Sequence, residues 1–230
     1  MLSEIEQTNQ LCFIAVRSDG LSLKFVREQT ELICLTAVRS DPMALKFVKN
    51  QTDTICLAAV EKNYLALRHV NNQTKEICCV ALRQNYISLQ FIRDQTEEIC
   101  LAAIQEDYEA LGCVRNQNTL ICLEAIRKDY RALRYVKNVN LEIFSAVVEK
   151  ITNVLASINL GKKYQIETVY KIAVGENYQV LRYIENQTEL ICLTAVKQNK
   201  LALEFVKDKT PLICQTAAEQ NFESISLFDE

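Results

Sequence analysis

Apolar residues return along this chain with a period of 22 residues, and within each period they fall into two clusters. The stretch from Gln51 to Asn72, QTDTICLAAVEKNYLALRHVNN, is typical. With Gln51 as position 1, the first cluster fills positions 5, 6, 7, 9 and 10, as Ile55, Cys56, Leu57, Ala59 and Val60. That spacing spans a wide arc of an α-helix, as a helix sandwiched between neighbours requires. The second cluster, Ala66, Leu67, His69 and Val70 at positions 16, 17, 19 and 20, predicts another short helix. Polar residues punctuate the two. Position 2 is Thr in seven copies, and acids such as Glu31, Asp53 and Glu189 follow it. A hydroxyl there accepts from the free N–H groups of a first turn, and the acids favour the positive end of the dipole. Position 13 is Asp or Asn in nine copies, from Asp19 to Asn221, which suits a tight turn and an N-cap. Pro42 after Asp41 and Pro211 after Thr210 mark two helix starts. The pattern therefore predicts helix A over positions 3–12 and helix B over positions 14–21.

Units of this kind begin at Gln7, Gln29, Gln51, Gln73, Gln95, Gln117, Val139, Gln165, Gln187 and Lys209. The whole chain, 1–230, reads as one array, regular over 7–138 and 165–230. The unit at 139–164 is irregular: it carries an insertion and lacks the Gln, Cys and Tyr signatures. Helices this short do not stand alone, so each unit must bury its apolar faces against the next. The expected fold class is all-α, an α-solenoid of ten short helix–turn–helix repeats stacked into a rod of roughly 80–100 Å. Position 1 is Gln in eight copies. Its amide has two candidate partners, the carbonyls that end helix B or its counterparts in neighbouring units.

The pattern QTxxICLxAVxxNxxALxFVxN resembles a repeat family of unknown function that is abundant in mimivirus-like giant viruses of amoebae and occurs in some bacteria and protists. The likeness covers 7–138 and 165–230 and is poor over 139–164. It implies a helical array and a viral source, and it implies no activity.

Composition narrows the picture. Apolar residues make up 49%, ample for a core, and four Gly with two Pro leave little room for long loops. A formal charge of −3 gives no global attraction to nucleic acid or an anionic membrane. The opening residues Met1 to Glu6 do not resemble a secretory signal, and no apolar run reaches membrane-spanning length. Eight of the ten cysteines (Cys12, Cys34, Cys56, Cys78, Cys100, Cys122, Cys192 and Cys214) share position 6. Stacked helices lie about 8–10 Å apart, beyond the ~7 Å a disulfide spans. They read as free thiols packed as small hydrophobes, which points to a reducing, intracellular compartment.

Candidate chemistry is thin. The single histidine, His69, sits at position 19, where most other copies carry Phe or Tyr, and reads as a stand-in aromatic. No serine elbow or phosphate loop is present, Gly161-Lys162-Lys163 reads as a turn, and the cysteines lack zinc-ligand spacing. The expectation is a non-enzymatic chain without cofactor or metal, whose partner is another protein.

Helix B carries the most suggestive surface. On a 3.6-residue helix, positions 14, 18 and 21 share a face. They hold Tyr64, Tyr86, Tyr108 and Tyr130, then Arg68 and Arg134, then Arg93, Arg115 and Lys137. Basic groups flanked by tyrosines suit a phosphate backbone with base stacking, or an acidic protein. The plainer account is a solvated face complementing the helix dipole, and it is the stronger one. Position 8 of helix A is mostly small, as in Thr36, Ala58, Thr194 and Thr216, and suits either a concave binding side or close packing. Gly112-Cys113 replaces a polar residue and an aromatic, which predicts a shallow gap or a kink. Finally, Leu11, Phe13, Leu227 and Phe228 keep both terminal units apolar, so end-to-end self-association is expected.

Overall fold

A computed structural model describes residues 9–156 and 162–226, which are helical or in short connections, with no strand among them. The Gly161 turn and the terminal Leu227 and Phe228 lie outside the described residues. The chain divides into two compact units, Met1–Arg115 and Asn116–Glu230, each described by itself.

In the first unit the order is α1 (Asn9–Ser18), η1 (Gly20–Phe25), α2 (Glu31–Ser40), η2 (Pro42–Phe47), α3 (Asp53–Lys62), η3 (Tyr64–His69), α4 (Lys75–Gln84), η4 (Tyr86–Phe91), α5 (Glu97–Glu106) and η5 (Tyr108–Cys113). Each α-helix packs on the next α-helix, and each 3₁₀ helix, η, packs on the next 3₁₀ helix. The second unit opens in the same way with α6 (Thr119–Lys128) and η6 (Tyr130–Tyr135). It continues with α7 (Leu141–Ala156), α8 (Lys162–Glu176), η7 (Tyr178–Tyr183), α9 (Glu189–Gln198), η8 (Lys200–Phe205) and α10 (Pro211–Ser226). This is the all-α architecture of successive packed units that a solenoid repeat requires.

Helix A matches its expected span, positions 3–12, in α2 to α6 and α9. The threonine caps are made: Thr30, Thr52, Thr74, Thr96, Thr188 and Thr210 each accept at Oγ1 from the N–H of position 5, at 3.4 Å. Asn118 takes that role in α6 at 2.9 Å. Pro42 opens η2 and Pro211 opens α10, as their fixed φ favours.

Helix B differs from expectation. It is six residues of 3₁₀ helix over positions 14–19, not an α-helix to position 21. Its bonds run over three residues, as from Ala66 N to Asn63 O (3.0 Å) and from Val70 N to Leu67 O (3.2 Å). Position 13 caps it: Asp41 Oδ1 accepts from Met43 N at 2.8 Å, and Asn63 Oδ1 accepts from Leu65 N at 2.9 Å. Position 20 leaves the helix in an extended conformation, with φ −72° and ψ 123° at Val70. So short an element turns tightly and buries Ala66, Leu67 and Val70 on one side.

Two units lack a second helix among the described residues. The unit from Val139 has α7, and the next described element is α8. In the last unit α10 runs through Asn221, the expected turn residue, because Glu219, Gln220 and Glu223 favour continuing the helix. The substitution at Gly112-Cys113 produces no kink. η5 keeps its six residues, its Asp107 cap and an exit at φ −72°, ψ 122° like its neighbours.

Candidate functional site

Several of the recurring polar residues meet at the seams between successive units. Position 1 is the centre of one seam. Gln51 Nε2 donates to Leu45 O of η2 (3.2 Å) and to His69 O of η3 (2.9 Å), while its Oε1 accepts from Asn71 N (2.8 Å). Of the two candidate partners, the helix B carbonyls are the ones engaged, one from the preceding unit and one from the glutamine's own. The same clip is made by Gln29, Gln73, Gln95 and Gln187. It supplies donors to carbonyls that a 3₁₀ terminus leaves unsatisfied.

The position-6 thiols lie under this clip. Cys56 Sγ donates weakly to Gln51 Oε1 at 3.6 Å, and Cys192 Sγ to Gln187 Oε1 at 3.7 Å. Burial pushes the Cys56, Cys78 and Cys122 thiols up to about 11, helped at Cys56 by the nearby Asp53 carboxylate and at Cys78 by Cys79. All ten cysteines are free.

The residues of the expected Tyr and Lys/Arg stripe fall in different places. In a helix of three residues per turn, positions 14 and 18 sit a third of a turn apart, and position 21 lies beyond the helix end. Arg93 and Arg115 turn back along the array. Arg93 donates to Asn71 O (2.7 Å) and to Val70 O, and Arg115 donates to Arg93 O (2.9 Å) and Gln90 O (3.2 Å). Lys49 and Lys207 do the same towards Arg27 O (2.7 Å) and Glu185 O (2.9 Å). Lys137 N donates to Gln117 Oε1 at 2.9 Å. At position 18, the Arg68 guanidinium lies 4.5 Å over the Phe91 ring, and Arg134 pairs with Glu176 at 2.7 Å. The tyrosines Tyr64, Tyr86, Tyr108 and Tyr130 are half-buried, and Tyr86 donates from its hydroxyl to Glu109 at 2.7 Å.

His69 is half-buried at position 19. Burial lowers its pKa, and the Lys46 and Arg68 charges lower it further. Among the described residues no group of three His, Cys, Asp or Glu stands close enough to hold a metal ion. None of the described helices is long and apolar enough to cross a membrane.

No family model, curated protein or solved structure matches this chain.

Sequence reasoning passed over two sets of residues. Position 12 builds a second seam at the end of helix A. Lys62 Nζ donates to Ser40 O (2.9 Å) and Arg39 O, Gln84 Nε2 donates to Val60 O, and Lys150 Nζ donates to Arg127 O (2.6 Å). The signal was the run of long donor side chains at that position. Position 4 of helix A carries exposed leucines, Leu32, Leu120, Leu190 and Leu212, where other copies hold Thr54, Glu76 and Glu98. Leu190 and Leu212 are 49% and 50% exposed on the adjacent, packed helices α9 and α10. Beside them Thr194 and Thr216, at position 8, turn their hydroxyls inward to Leu190 O and Leu212 O, both at 2.8 Å.

Proposed function

We propose that the chain is a non-enzymatic repeat scaffold that binds another protein through the outer face of helix A. The observation that carries this reading is the pair Leu190 and Leu212, half exposed at one repeat position on neighbouring helices. Aligned leucines on a rigid helical surface suit the apolar anchors of a protein segment. The repeated polar groups support the same reading, since Gln51, Arg93 and Arg115 are spent on joining units.

A pull-down with the full chain tests it. The reading expects a partner lost with the double substitution Leu190→Glu and Leu212→Glu and kept with Arg115→Glu. Recovery of the same proteins by both variants would overturn it.

One observation favours a second reading, a nucleic-acid-binding array. Arg68 and Arg182 stack over Phe91 and Phe205, at 4.5 and 4.3 Å, with the arginines themselves exposed. A stacked guanidinium keeps its N–H edge for phosphate. The net charge of −3 opposes long-range attraction. Titration against single- and double-stranded DNA and RNA across a salt series decides between the two, since affinity that falls steeply with salt reports neutralised phosphates.

A further inference from the structure

Inside the array helix A has two working edges. Positions 5 and 9 form one, and positions 6 and 10 form the other. In α3 all four are sealed: Ile55 is 1% exposed, and Ala59, Cys56 and Val60 are buried as well. The helices at the ends of the described array separate the two edges. α1 packs on α2, and its Cys12 and Val16, at positions 6 and 10, are buried. Its Leu11 and Ala15, at positions 5 and 9, are exposed, Leu11 at 55%, with Ile14 exposed beside them. α10 packs on α9 in the opposite sense. Its Ile213 and Ala217, at positions 5 and 9, are buried, while Cys214 and Ala218, at positions 6 and 10, are exposed. Positions 6 and 10 therefore face the following unit, and positions 5 and 9 face the preceding one.

Next to the open edge of α10, η8 is uncovered too. Leu203 at position 17 is half-exposed, although Leu45, Leu67 and Leu89 at the same position are fully buried. Leu201 is 56% exposed. Leu201 and Leu203 line a shallow apolar hollow with Cys214, Ala217 and Ala218.

We propose that a second copy of this chain occupies that hollow, seating the Leu11–Ala15 edge of its α1 against the Cys214–Ala218 edge of α10. The argument is continuity with the interface inside the chain. One edge displays the positions buried backwards in every regular unit, and the other displays those buried forwards. The small residues Ala15 and Ala218 let the backbones approach as Ala37, Ala59 and Ala81 do within the array. The contact is heterologous, so each added copy presents the same exposed edge again and growth does not stop at a dimer. The inference uses none of the residues of the helix A face and stands whether or not that face binds a partner.

Sedimentation velocity of the full chain over a concentration series tests it. Wild type gains mass with concentration and passes beyond the dimer. Leu11→Glu and Ala218→Glu each change an exposed residue, keep the helical circular dichroism signal, and hold the protein monomeric when each is alone. Mixed in equal amounts they form a heterodimer and stop, because only one intact edge remains on each. Ile14→Glu reproduces the Leu11→Glu result if that variant folds poorly. A wild type that stays monomeric at every concentration overturns the proposal. So does association that survives both substitutions.

Discussion

Between η2 and η3, Gln51 donates to Leu45 O and His69 O and accepts from Asn71 N. The first residue at that position after η6 is Val139, which has no such side chain. Three residues from η7 and its cap replace it. Asn177 Nδ2 donates to Leu133 O (3.3 Å) and Val136 O (3.0 Å), Gln179 Nε2 donates to Lys137 O (3.2 Å), and the Tyr183 hydroxyl donates to Val139 O (2.8 Å). Gln179 Oε1 also accepts from Val139 N at 3.1 Å. Arg134 adds an ion pair to Glu176, and Phe144 stacks on Tyr183 at 5.6 Å. The unit from Val139 shows no 3₁₀ helix among the described residues, and η7 with its cap brings the donors to the carbonyls that η6 leaves. What the array conserves is the satisfaction of carbonyls at a 3₁₀ terminus, and glutamine is one means to that end.

The two seams should break unequally. Asn177 is buried, caps η7 through Gln179 N at 3.0 Å, and covers two carbonyls. Asn177→Leu leaves those carbonyls without their donor and should cost about 3 kcal/mol. Hydrogen exchange resolved by segment checks it, with protection lost first over 130–183. Protection lost evenly along the chain would mean the irregular seam is no weaker than the regular ones.

Gln51→Leu should cost less, about 2 kcal/mol, because Gln51 is only half-buried and water reaches part of the seam. Here the loss should centre on η2 and η3. An unchanged denaturant midpoint would show that the clip contributes geometry and no net stability.

These seams also show what the sequence could disclose. Helix A, its threonine cap and the Asp or Asn of position 13 were legible because each acts within a few residues of itself. The 3₁₀ form of helix B was not. Its short span goes with the clip that Gln73 makes to Leu67 O and Phe91 O, 6 and 18 residues away, which no local pattern contains. The shared α-helical face expected for positions 14, 18 and 21 was not legible for the same reason. Arg93 and Arg115 are drawn to carbonyls 22 residues behind them, so a helical wheel placed them wrongly. Asn177 carried the expected capping signal, and its second role depends on carbonyls 41 and 44 residues behind it.

Alkaline pH should separate the seams further. The other eight units hold a thiol at position 6, whereas α7 and α8 carry Phe144 and Tyr170 there. Burial raises Cys56 and Cys78 from the ordinary 9.0 to about 11. An acid whose pKa is raised by folding favours the folded state fully below its unfolded value and loses that contribution as pH climbs through the folded one. Stability should therefore fall between pH 9 and about 11. A variant with Cys56→Ala and Cys78→Ala should lose less over that range than wild type. Equal losses would remove the thiols as the cause.

A smaller effect of opposite sign is expected within a regular unit. Ser88 is fully buried at position 16, where Ala44, Ala66 and Ala110 stand in other copies, and its hydroxyl has no hydrogen-bond partner. Ser88→Ala should raise stability by about 1 kcal/mol, read as a higher denaturant midpoint. A lower midpoint would show that the hydroxyl is satisfied in solution.

The smallest expected change sets a glycine of each region against the other. A Cβ on Gly20, in η1, would lie 2.4 Å from Ala37 O and 2.7 Å from Asp41 N, both backbone atoms of the next unit. Close approach of the first two repeats requires glycine there. A Cβ on Gly175, near the end of α8, would meet only the Thr194 methyl at 3.9 Å, an ordinary contact. Glycine inside an α-helix costs backbone entropy and packs nothing, so Gly175→Ala should stabilise by about 0.5–1 kcal/mol. The gain should appear as slower exchange over α8 and leave the first compact unit untouched. If Gly175→Ala destabilises instead, then α8 is held against its neighbours more tightly than the regular helices, and the irregular region is the rigid part of its unit.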